Sequence, residues 1–166
     1  GLSAGNNDFV WVIDPIDGTS CFVHNLRSWC ISIALTYQGK IVLGVVYDVA
    51  NDECFEALDG QGAYLNQQPI RVNSQQTLQE GLMGLGANLR VGPEVSARFA
   101  DLLLAQKGMF YRNGSCALML SYVACGRLIG YYEPHVNSWD CFAGLLLIQE
   151  AGGWSSDFSG QDKLLH

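Results

Sequence analysis

The chain has 166 residues, a formal net charge of −7 and a hydrophobic fraction of 49%. This length supports one substantial core, and so apolar a composition excludes a disordered or low-complexity protein. Nine lysines and arginines stand against sixteen aspartates and glutamates, too few cations for a broad surface that neutralises nucleic-acid phosphates. We therefore predict a single domain, residues 1–166, with no nucleic-acid partner.

The six cysteines could in number form three disulfides, but they are scattered among apolar runs without a framework spacing or a CxxC pair. We interpret them as reduced core residues, which favours a cytoplasmic protein. No apolar run approaches the roughly 20 residues that span a bilayer, so we predict no membrane partner. The start at Gly1 and the apolar end at residues 163–166 lead us to expect a piece of a longer protein.

The first half, residues 1–78, is predicted to be rich in strands. Its opening run is apolar and β-branched and stops at Pro15, which is typical of a buried strand, and a loop follows to about residue 28. Gln38 and Gly39 have the length and the glycine of a tight hairpin turn between two β-rich runs. The predicted strands are residues 9–14, 29–37, 40–48, 54–58 and 63–65.

The second half, residues 79–166, alternates between strand and helix patterns. The predicted strands are residues 81–85, 109–112 and 128–133, and the predicted helices are residues 93–107, 115–125 and 139–151. The first of these helices has one apolar face, made of Val95, Phe99, Leu102 and Leu103.

The last predicted helix, capped by Ser138, is apolar on nearly every side, so we expect it to be sandwiched between layers. The predicted fold class is therefore layered α/β, with an antiparallel-rich first sheet followed by strand–helix alternation.

Two acidic side chains follow the first strand in the segment DPIDGT, residues 14–19, where α/β sheets commonly bind ligands. Asp14 and Asp17 would repel each other at one point, and a hard divalent cation, with the Ile16 carbonyl as a further ligand, is the simplest occupant. The N–H groups around Gly18 and Thr19 are suited to an anion. A metal site next to an anion site suggests that the substrate is a phosphate ester. The same residues are also typical of a simple turn, so a purely structural role stays open.

A second acidic segment, WD at residues 139–140, begins the last predicted helix, and EAGG at residues 150–153 ends it. Taken alone, Asp140 is explained as a first-turn acid that the helix dipole favours. The two segments in one chain are far more specific than either segment by itself.

With these segments, the sequence resembles the inositol monophosphatase family of Mg²⁺-dependent, lithium-sensitive-type phosphatases. WVIDPIDGT followed by Phe22, and WD followed by EAGG, match the two signature segments of that family. The hairpin, the GxGA segment at residues 60–63 and the NGS segment at residues 113–115 also occur in the family's order. The resemblance covers essentially the whole chain and implies a layered sugar-phosphatase-like fold.

The resemblance implies a phosphoric monoester hydrolase that holds two or three Mg²⁺ ions in its intact site. Its implied metal ligands are Asp14, the Ile16 carbonyl, Asp17 and, for a second metal, Asp140. Asp17 and Thr19 are the implied catalytic residues, with Thr19 orienting or activating the attacking water. The residues implied to bind phosphate or substrate are Gly18, Thr19, Gly114, Ser115, Cys116, Glu133 and Asp140.

Plainer explanations stay open for two of these residues, since Ser115 is also a good helix N-cap and Glu133 is also a strand-end carboxylate. The implied partner is a small phosphorylated polyol or sugar, foremost inositol monophosphate. Other members of the family with the same fold act on histidinol phosphate, adenosine bisphosphate or fructose bisphosphate. The resemblance further implies a homodimer.

The sequence departs from the family pattern in two places. Cys21 stands where the family usually has Asn. A thiol is a weaker hydrogen-bond donor than an amide, so we expect fewer hydrogen bonds to hold this loop. The family also takes a glutamate ligand from an upstream helix, whereas the only acid before the strand here is Asp8. We therefore expect part of the first metal site to be missing and keep a non-catalytic interaction module of the same fold as an alternative.

The three histidines, His24, His135 and His166, have no metal-ligand spacing. We interpret them as surface or loop residues.

Overall fold

The computed structural model of the chain describes residues 8–74, 76–88, 90–156 and 158. Within these residues the first sheet has six strands, each antiparallel to the next in chain order. They are β1 (Phe9–Asp17), β2 (Cys30–Tyr37), β3 (Lys40–Asp48), β4 (Glu53–Leu58), β5 (Ala63–Leu65) and β6 (Gln68–Pro69). The antiparallel first sheet is therefore confirmed.

In the described part of the chain, the second sheet has three parallel strands, with β7 (Leu82–Leu85) between β8 (Met109–Tyr111) and β9 (Gly130–Tyr132). The helices are α1 (Thr19–Val23), α2 (Pro93–Ala105), α3 (Cys116–Ala124) and α4 (Ser138–Glu150). Parallel neighbours need a crossover connection, and α2 and α3 supply it, which confirms the strand–helix alternation of the second half. Within the described ranges, no helix is long and apolar enough to cross a membrane.

β1 is not the buried strand that the sequence predicts. It continues through Pro15 to Asp17, and Phe9, Trp11 and Ile13 on one of its faces are each more than half exposed. Among the described residues, β1 pairs only with β2 and is therefore an edge strand, where a proline without an N–H is tolerated. Val12, on the other face, packs against the core.

The region after β1 is also more ordered than the predicted loop. α1 occupies five residues of it and begins directly after Gly18, which has a φ of +93°. Further along, Gln38 and Gly39 both have positive φ, as a two-residue hairpin turn that matches the strand twist requires. The predicted hairpin of β2 and β3 is thus confirmed.

α2 differs from its predicted apolar face at one position. Leu103 is buried and the Phe99 ring stacks on Tyr132 with the centroids 4.2 Å apart, whereas Leu102 is 56% exposed. Phe99 and Leu103 are four residues apart and share one side of the helix, while Leu102 lies about 100° away from Leu103. The stripe that packs is therefore narrower than the sequence suggests.

α4 lies between the first sheet and α3, as its apolar sequence predicts. Its approach to β3 depends on Gly44, because a Cβ there would lie 2.7 Å from the Ala143 carbonyl oxygen. The helix is capped by Asn137, one residue before the predicted Ser138. The resulting core is one cluster of buried residues from the first sheet, α3 and α4, and Leu82 and Tyr131 of the second sheet pack against it.

Glu150, at the end of α4, ties that helix to the first sheet. Its two carboxylate oxygens accept hydrogen bonds from the N–H groups of Gly60 and Gly62, at 2.9 and 2.8 Å. The EAGG segment and the GxGA segment, 88 residues apart or more, therefore meet in the fold.

All six cysteines lie in the described part of the chain and are free thiols. Four of them are buried, namely Cys21, Cys30, Cys116 and Cys141. The predicted core position is confirmed for these four, whereas Cys54 and Cys125 are only partly buried.

Candidate metal and phosphate site

A bulge near the end of β1 places Asp14 and Asp17 on the same side of the sheet. Asp14 pairs with Ser32 and Asp17 pairs with Cys30. The two aspartates are three residues apart on β1, whereas their partners are two residues apart on β2, so β1 contains one extra residue. In a regular strand, residues three apart point to opposite faces, and one extra residue reverses that parity. The two carboxylates are brought together by the register of the strand pair.

The residues between these aspartates are held by local hydrogen bonds. The Ile16 N–H donates to Asp14 Oδ1 at 3.0 Å, and the Thr19 hydroxyl donates to the Ile16 carbonyl at 3.0 Å. A carbonyl oxygen has two lone pairs, so this bond leaves Ile16 able to coordinate a cation. The bond also fixes the orientation of the Thr19 hydroxyl relative to the Ile16 carbonyl.

Asp17 is anchored from the core side and is only 6% exposed. Its Oδ2 accepts hydrogen bonds from the Ser115 hydroxyl at 2.5 Å and the Ala117 N–H at 2.7 Å, and the Cys30 thiol lies 3.8 Å away. Because all three groups reach Oδ2, Oδ1 is the oxygen left for a cation. The N-terminus of α3 thus orients this carboxylate across about a hundred residues of sequence.

Burial raises the pKa of Asp17 to about 6, against the opposing effect of the hydrogen bonds from Ser115 and Ala117. The nearby charges of Asp140 and Asp14 raise it further. The pKa of Asp14 is also raised, first by burial and then by Asp140, while the hydrogen bond from Ile16 acts in the opposite direction. The site is therefore a place where negative charge is costly in the absence of a cation.

Asp140 enters the same cluster from the first turn of α4. Its Oδ2 accepts hydrogen bonds from the backbone N–H of Asn137 at 3.0 Å and from the Asn137 side-chain amide at 2.8 Å. One oxygen of each aspartate, Asp14, Asp17 and Asp140, lies within 4.8 Å of the others.

These three side chains fit a hard divalent cation. Carboxylate and carbonyl oxygens are the ligands that Mg²⁺ prefers, and the cluster offers three carboxylates. Burial is the main cause of the raised pKa values of Asp14 and Asp17, and the negative charge of Asp140 adds to both rises. Among the predicted ligands, the structure brings Asp14, Asp17 and Asp140 into one cluster.

Gly18 brings the DPIDGT segment into contact with the residues before α3. A Cβ at Gly18 would lie 2.6 Å from the Ser28 carbonyl oxygen and 3.2 Å from the Ser115 Cβ. Gly114, with a φ of +90°, fits against Cys21, whose sulfur would be 2.8 Å from a Cβ there. These close approaches place the predicted phosphate-binding and substrate-binding segments side by side.

Ser115 and Cys116 are both buried, although the sequence nominates them for the substrate side. The Ser115 hydroxyl donates to Asp17 and also accepts from the Leu118 N–H at 3.2 Å, so it is both an N-cap and a support for Asp17. Burial raises the pKa of the Cys116 thiol well above its usual value, which keeps it protonated.

Glu133 follows β9 and is half-buried. It accepts a hydrogen bond from the Tyr131 hydroxyl. Burial raises its pKa, the Tyr131 bond lowers it, and the charge of Asp140 raises it again. Glu133 and Asp140 are therefore close enough for their charges to interact.

Two contacts at the site were missed by sequence reasoning. Asn137 is the N-cap of α4 and binds Asp140, a pairing that the spacing Asn-x-x-Asp, a variant of the capping box, signals in the sequence. Asn113 contacts Cys21, the residue that stands where the family usually has Asn. The Asn113 carbonyl accepts a hydrogen bond from the Cys21 thiol at 3.0 Å, and the Asn113 side chain accepts one from the Ser115 N–H. The loop with Cys21 therefore keeps one hydrogen bond to the segment before α3.

The described histidines lie outside the cluster, as predicted for surface or loop residues. His24 is exposed and hydrogen-bonds the Ser20 carbonyl, and His135 is half-buried with its Nε2 3.2 Å from Arg90. His166 lies outside the described residues.

An open depression of about 300 Å³ beside α1 is lined by Phe22, Leu26, Trp29 and Val49 among others. None of the aspartates lines it. The chemistry of the carboxylates, rather than surface concavity, therefore identifies the candidate site.

Comparison with known proteins agrees with the site. The profile of the Inositol monophosphatase family matches residues 2–166. Inositol-1-monophosphatase from Rhizobium meliloti is 40% identical over 157 residues, which is 93% of this chain and 59% of that protein. Nus factor SuhB from Xylella fastidiosa is 41% identical over 160 residues, which is 95% of this chain and 58% of that protein.

A solved structure gives the same result for the fold. The crystal structure of extragenic suppressor protein suhB from Bartonella henselae has a TM-score of 0.87 and 36% sequence identity, and the match covers 95% of this chain and 61% of that chain. The chain thus spans about three-fifths of the length of the relatives it matches.

Proposed function

The chain belongs to the inositol monophosphatase family, and on this premise we propose that the protein is a Mg²⁺-dependent phosphomonoester hydrolase acting on a small polyol or sugar phosphate. Inositol monophosphate is the foremost substrate, in keeping with the name of the Rhizobium meliloti relative. The observation that carries the proposal is the cluster of Asp14, Asp17 and Asp140, assembled from two distant segments.

We assign the metal-binding role to Asp14, Asp17, Asp140 and the Ile16 carbonyl. When bound, Mg²⁺ neutralises phosphate oxygens and lowers the pKa of a coordinated water. The chain itself holds the carboxylates in place: Ser115 and Ala117 fix Asp17, and Asn137 and Ile16 fix Asp140 and Asp14.

Thr19 is proposed to orient the attacking water. Its hydroxyl proton is committed to the Ile16 carbonyl at 3.0 Å, so its oxygen lone pairs remain to accept a hydrogen bond from a water beside the carboxylates. The N–H groups of Gly18 and Thr19 are proposed to bind phosphate oxygens. Displacement at phosphorus needs such positioning more than covalent help from the protein.

On the substrate side, Glu133 is proposed to accept a hydrogen bond from a hydroxyl of the polyol. Gly114 lets the chain approach the substrate closely, and Ser115 and Cys116 contribute through the segment that they form rather than through free side chains, since both are buried. A carboxylate that is half-buried and loses a hydrogen-bond donor is left poorly solvated, so Glu133 would favour hydroxylated substrates.

The test is phosphate release by the complete protein that contains this chain. The panel comprises inositol monophosphate, histidinol phosphate, adenosine bisphosphate and fructose bisphosphate, each with Mg²⁺ and with a chelator. We expect Mg²⁺-dependent release, fastest with inositol monophosphate, and a loss of roughly a hundredfold or more in Asp17→Asn.

The matched control is Asp101→Asn, the same change at an exposed position of α2. It should leave turnover unchanged. Chelator-resistant release, or full activity in Asp17→Asn, would contradict the proposal.

A second candidate is a non-catalytic binding role of the same fold. The observation that favours it is the name of the Xylella fastidiosa relative, a Nus factor, at 41% identity. Failure of the folded protein to release phosphate from any member of the panel would support this role instead. The prediction from net charge that nucleic acid is not a partner stays a prediction, as do the cytoplasmic location and the homodimer.

A further inference from the structure

Arg90, which lies in the loop after β7, is linked to the candidate metal site by hydrogen bonds. Its Nη1 donates to the side-chain oxygen of Asn137 at 2.7 Å. The amide nitrogen of the same Asn137 side chain donates to Asp140 Oδ2 at 2.8 Å. We propose that Arg90 is a positioning residue, which fixes the Asn137 amide and thereby aims the Asp140 carboxylate into the metal site.

The proposal follows first from the chemistry of the amide. An asparagine side chain has one accepting end and one donating end, whereas a guanidinium group only donates. Arg90 therefore selects the orientation in which the Asn137 oxygen faces outward and the NH₂ group faces Asp140. The reverse orientation would set the amide oxygen against the Asp140 carboxylate.

The bonds also decide which carboxylate oxygen remains for a cation. The Asn137 backbone N–H and the Asn137 side chain both reach Oδ2 of Asp140, at 3.0 and 2.8 Å. Oδ1 of Asp140 is thus left for the cluster with Asp14 and Asp17. Outer hydrogen bonds of this kind orient metal-binding side chains and raise metal affinity.

Arg90 is itself held in place. Its backbone N–H donates to the Asn88 side chain at 2.9 Å, and the Asn88 amide contacts the His135 carbonyl at 3.4 Å. Because Arg90 can only donate, its Nη1 at 3.2 Å makes His135 Nε2 the acceptor, which places the imidazole proton on Nδ1. The loop after β7 and the segment before α4 are therefore fastened together beside Asp140.

The inference rests on the proposed metal site, and its test reads metal binding directly. The Mg²⁺ dependence of the thermal unfolding midpoint gives an affinity for the protein without substrate. We expect Arg90→Gln to weaken Mg²⁺ binding about tenfold. Arg90→Lys, which keeps one charged donor, should recover part of the loss, and Arg98→Gln, an exposed position of α2, should have no effect.

A double-mutant cycle with Asn137→Ser tests the route. Serine is also a good N-cap but is too short to bridge Arg90 and Asp140, so α4 should remain capped. If Arg90 acts through Asn137, Arg90→Gln should add less than about twofold to the loss of affinity in Asn137→Ser.

Three results would overturn the proposal: Mg²⁺ affinity in Arg90→Gln within twofold of the parent, full additivity of the two changes, or no Mg²⁺ binding by the parent protein. Phosphate release is measured separately. A protein that binds Mg²⁺ in an Arg90-dependent way but releases no phosphate supports the positioning role and contradicts the proposed hydrolase.

Discussion

Asp17 and Asp140 belong to one carboxylate cluster, but the protein holds them in different ways. Asp17 is 6% exposed and receives its hydrogen bonds from Ser115 and Ala117, at the buried start of α3. Asp140 receives its hydrogen bonds from Asn137, which is in turn fixed by the exposed Arg90. We infer that changes around Asp17 affect the stability of the fold, whereas changes around Asp140 affect metal affinity with little effect on stability.

The largest expected effect on stability is that of Ser115→Ala. The change removes a hydrogen bond to a buried carboxylate and an N-cap at the same time, which should cost about 3 kcal/mol of unfolding free energy. Urea denaturation measures it. The control is Ser96→Ala, where a half-buried hydroxyl donates to the Gly86 carbonyl at 3.3 Å, and a loss below about 1 kcal/mol is expected. Equal losses at the two serines would break the contrast.

Gly114→Ala should be next in size. Its φ of +90° disfavours alanine, and the new methyl group would meet the Cys21 sulfur at 2.8 Å, so we expect a loss of about 2 kcal/mol. Gly39→Ala shares the positive φ, +81°, but its Cβ would meet nothing within 4 Å. About 1 kcal/mol is expected there, and the difference between the two measures the steric contribution at the site.

The pH dependence of stability without metal tests the charge on Asp17. Its pKa is raised from 3.8 to about 6, so its contribution to stability is fully present below pH 3.8 and is lost as the pH rises through about 6. In a chelator, Asp17→Asn should therefore be more stable than the parent at pH 7.5, by on the order of 2 kcal/mol, and the gain should shrink at pH 4.

Mg²⁺ should reverse that order at pH 7.5, because only the aspartate supplies a charged ligand. Denaturation curves of both proteins, in chelator and in Mg²⁺, give all the comparisons. A parent protein that is the more stable one at pH 7.5 in chelator would show that Asp17 is not destabilised by its charge.

Arg90→Gln should have the smallest effect on stability. Arg90 is exposed, and its side-chain hydrogen bonds to His135 and Asn137 are accessible to solvent. We therefore expect the unfolding free energy in chelator to stay within about 0.5 kcal/mol of the parent value. Together with the weakened Mg²⁺ binding proposed above, this outcome would sharpen the contrast between the two aspartates. A loss as large as that of Ser115→Ala would remove it.

Much of the fold was predictable because its signals are local. The hairpin of β2 and β3 depends on Gln38 and Gly39, which adopt the two positive φ values that the turn needs. α3 is capped by Ser115 and is followed closely by Gly126, which has a positive φ, so residue chemistry marks both of its ends. The boundary of β1 was wrong because a proline stops a central strand but not an edge strand, and position within a sheet is not a local property.

The sequence by itself determined which acidic side chains are present, namely two aspartates in DPIDGT and a third in WD. It also determined the family to which these segments belong. The reason is that residue identity and short-range turn chemistry are written in the chain directly. Only the tertiary structure decided how these three aspartates come together. The parity of Asp14 and Asp17 is set by a bulge against β2, which depends on strand pairing.

The supports of the cluster were likewise decided in three dimensions. Ser115 reaches Asp17 from 98 residues away, and Arg90 reaches Asn137 from 47 residues away. The Ser115 contact arises because α3 and α4 pack together against the first sheet. The Arg90 contact arises because the loop after β7 is hydrogen-bonded to the segment before α4. No periodicity or spacing encodes them, since they depend on the packing of whole elements rather than on neighbouring residues.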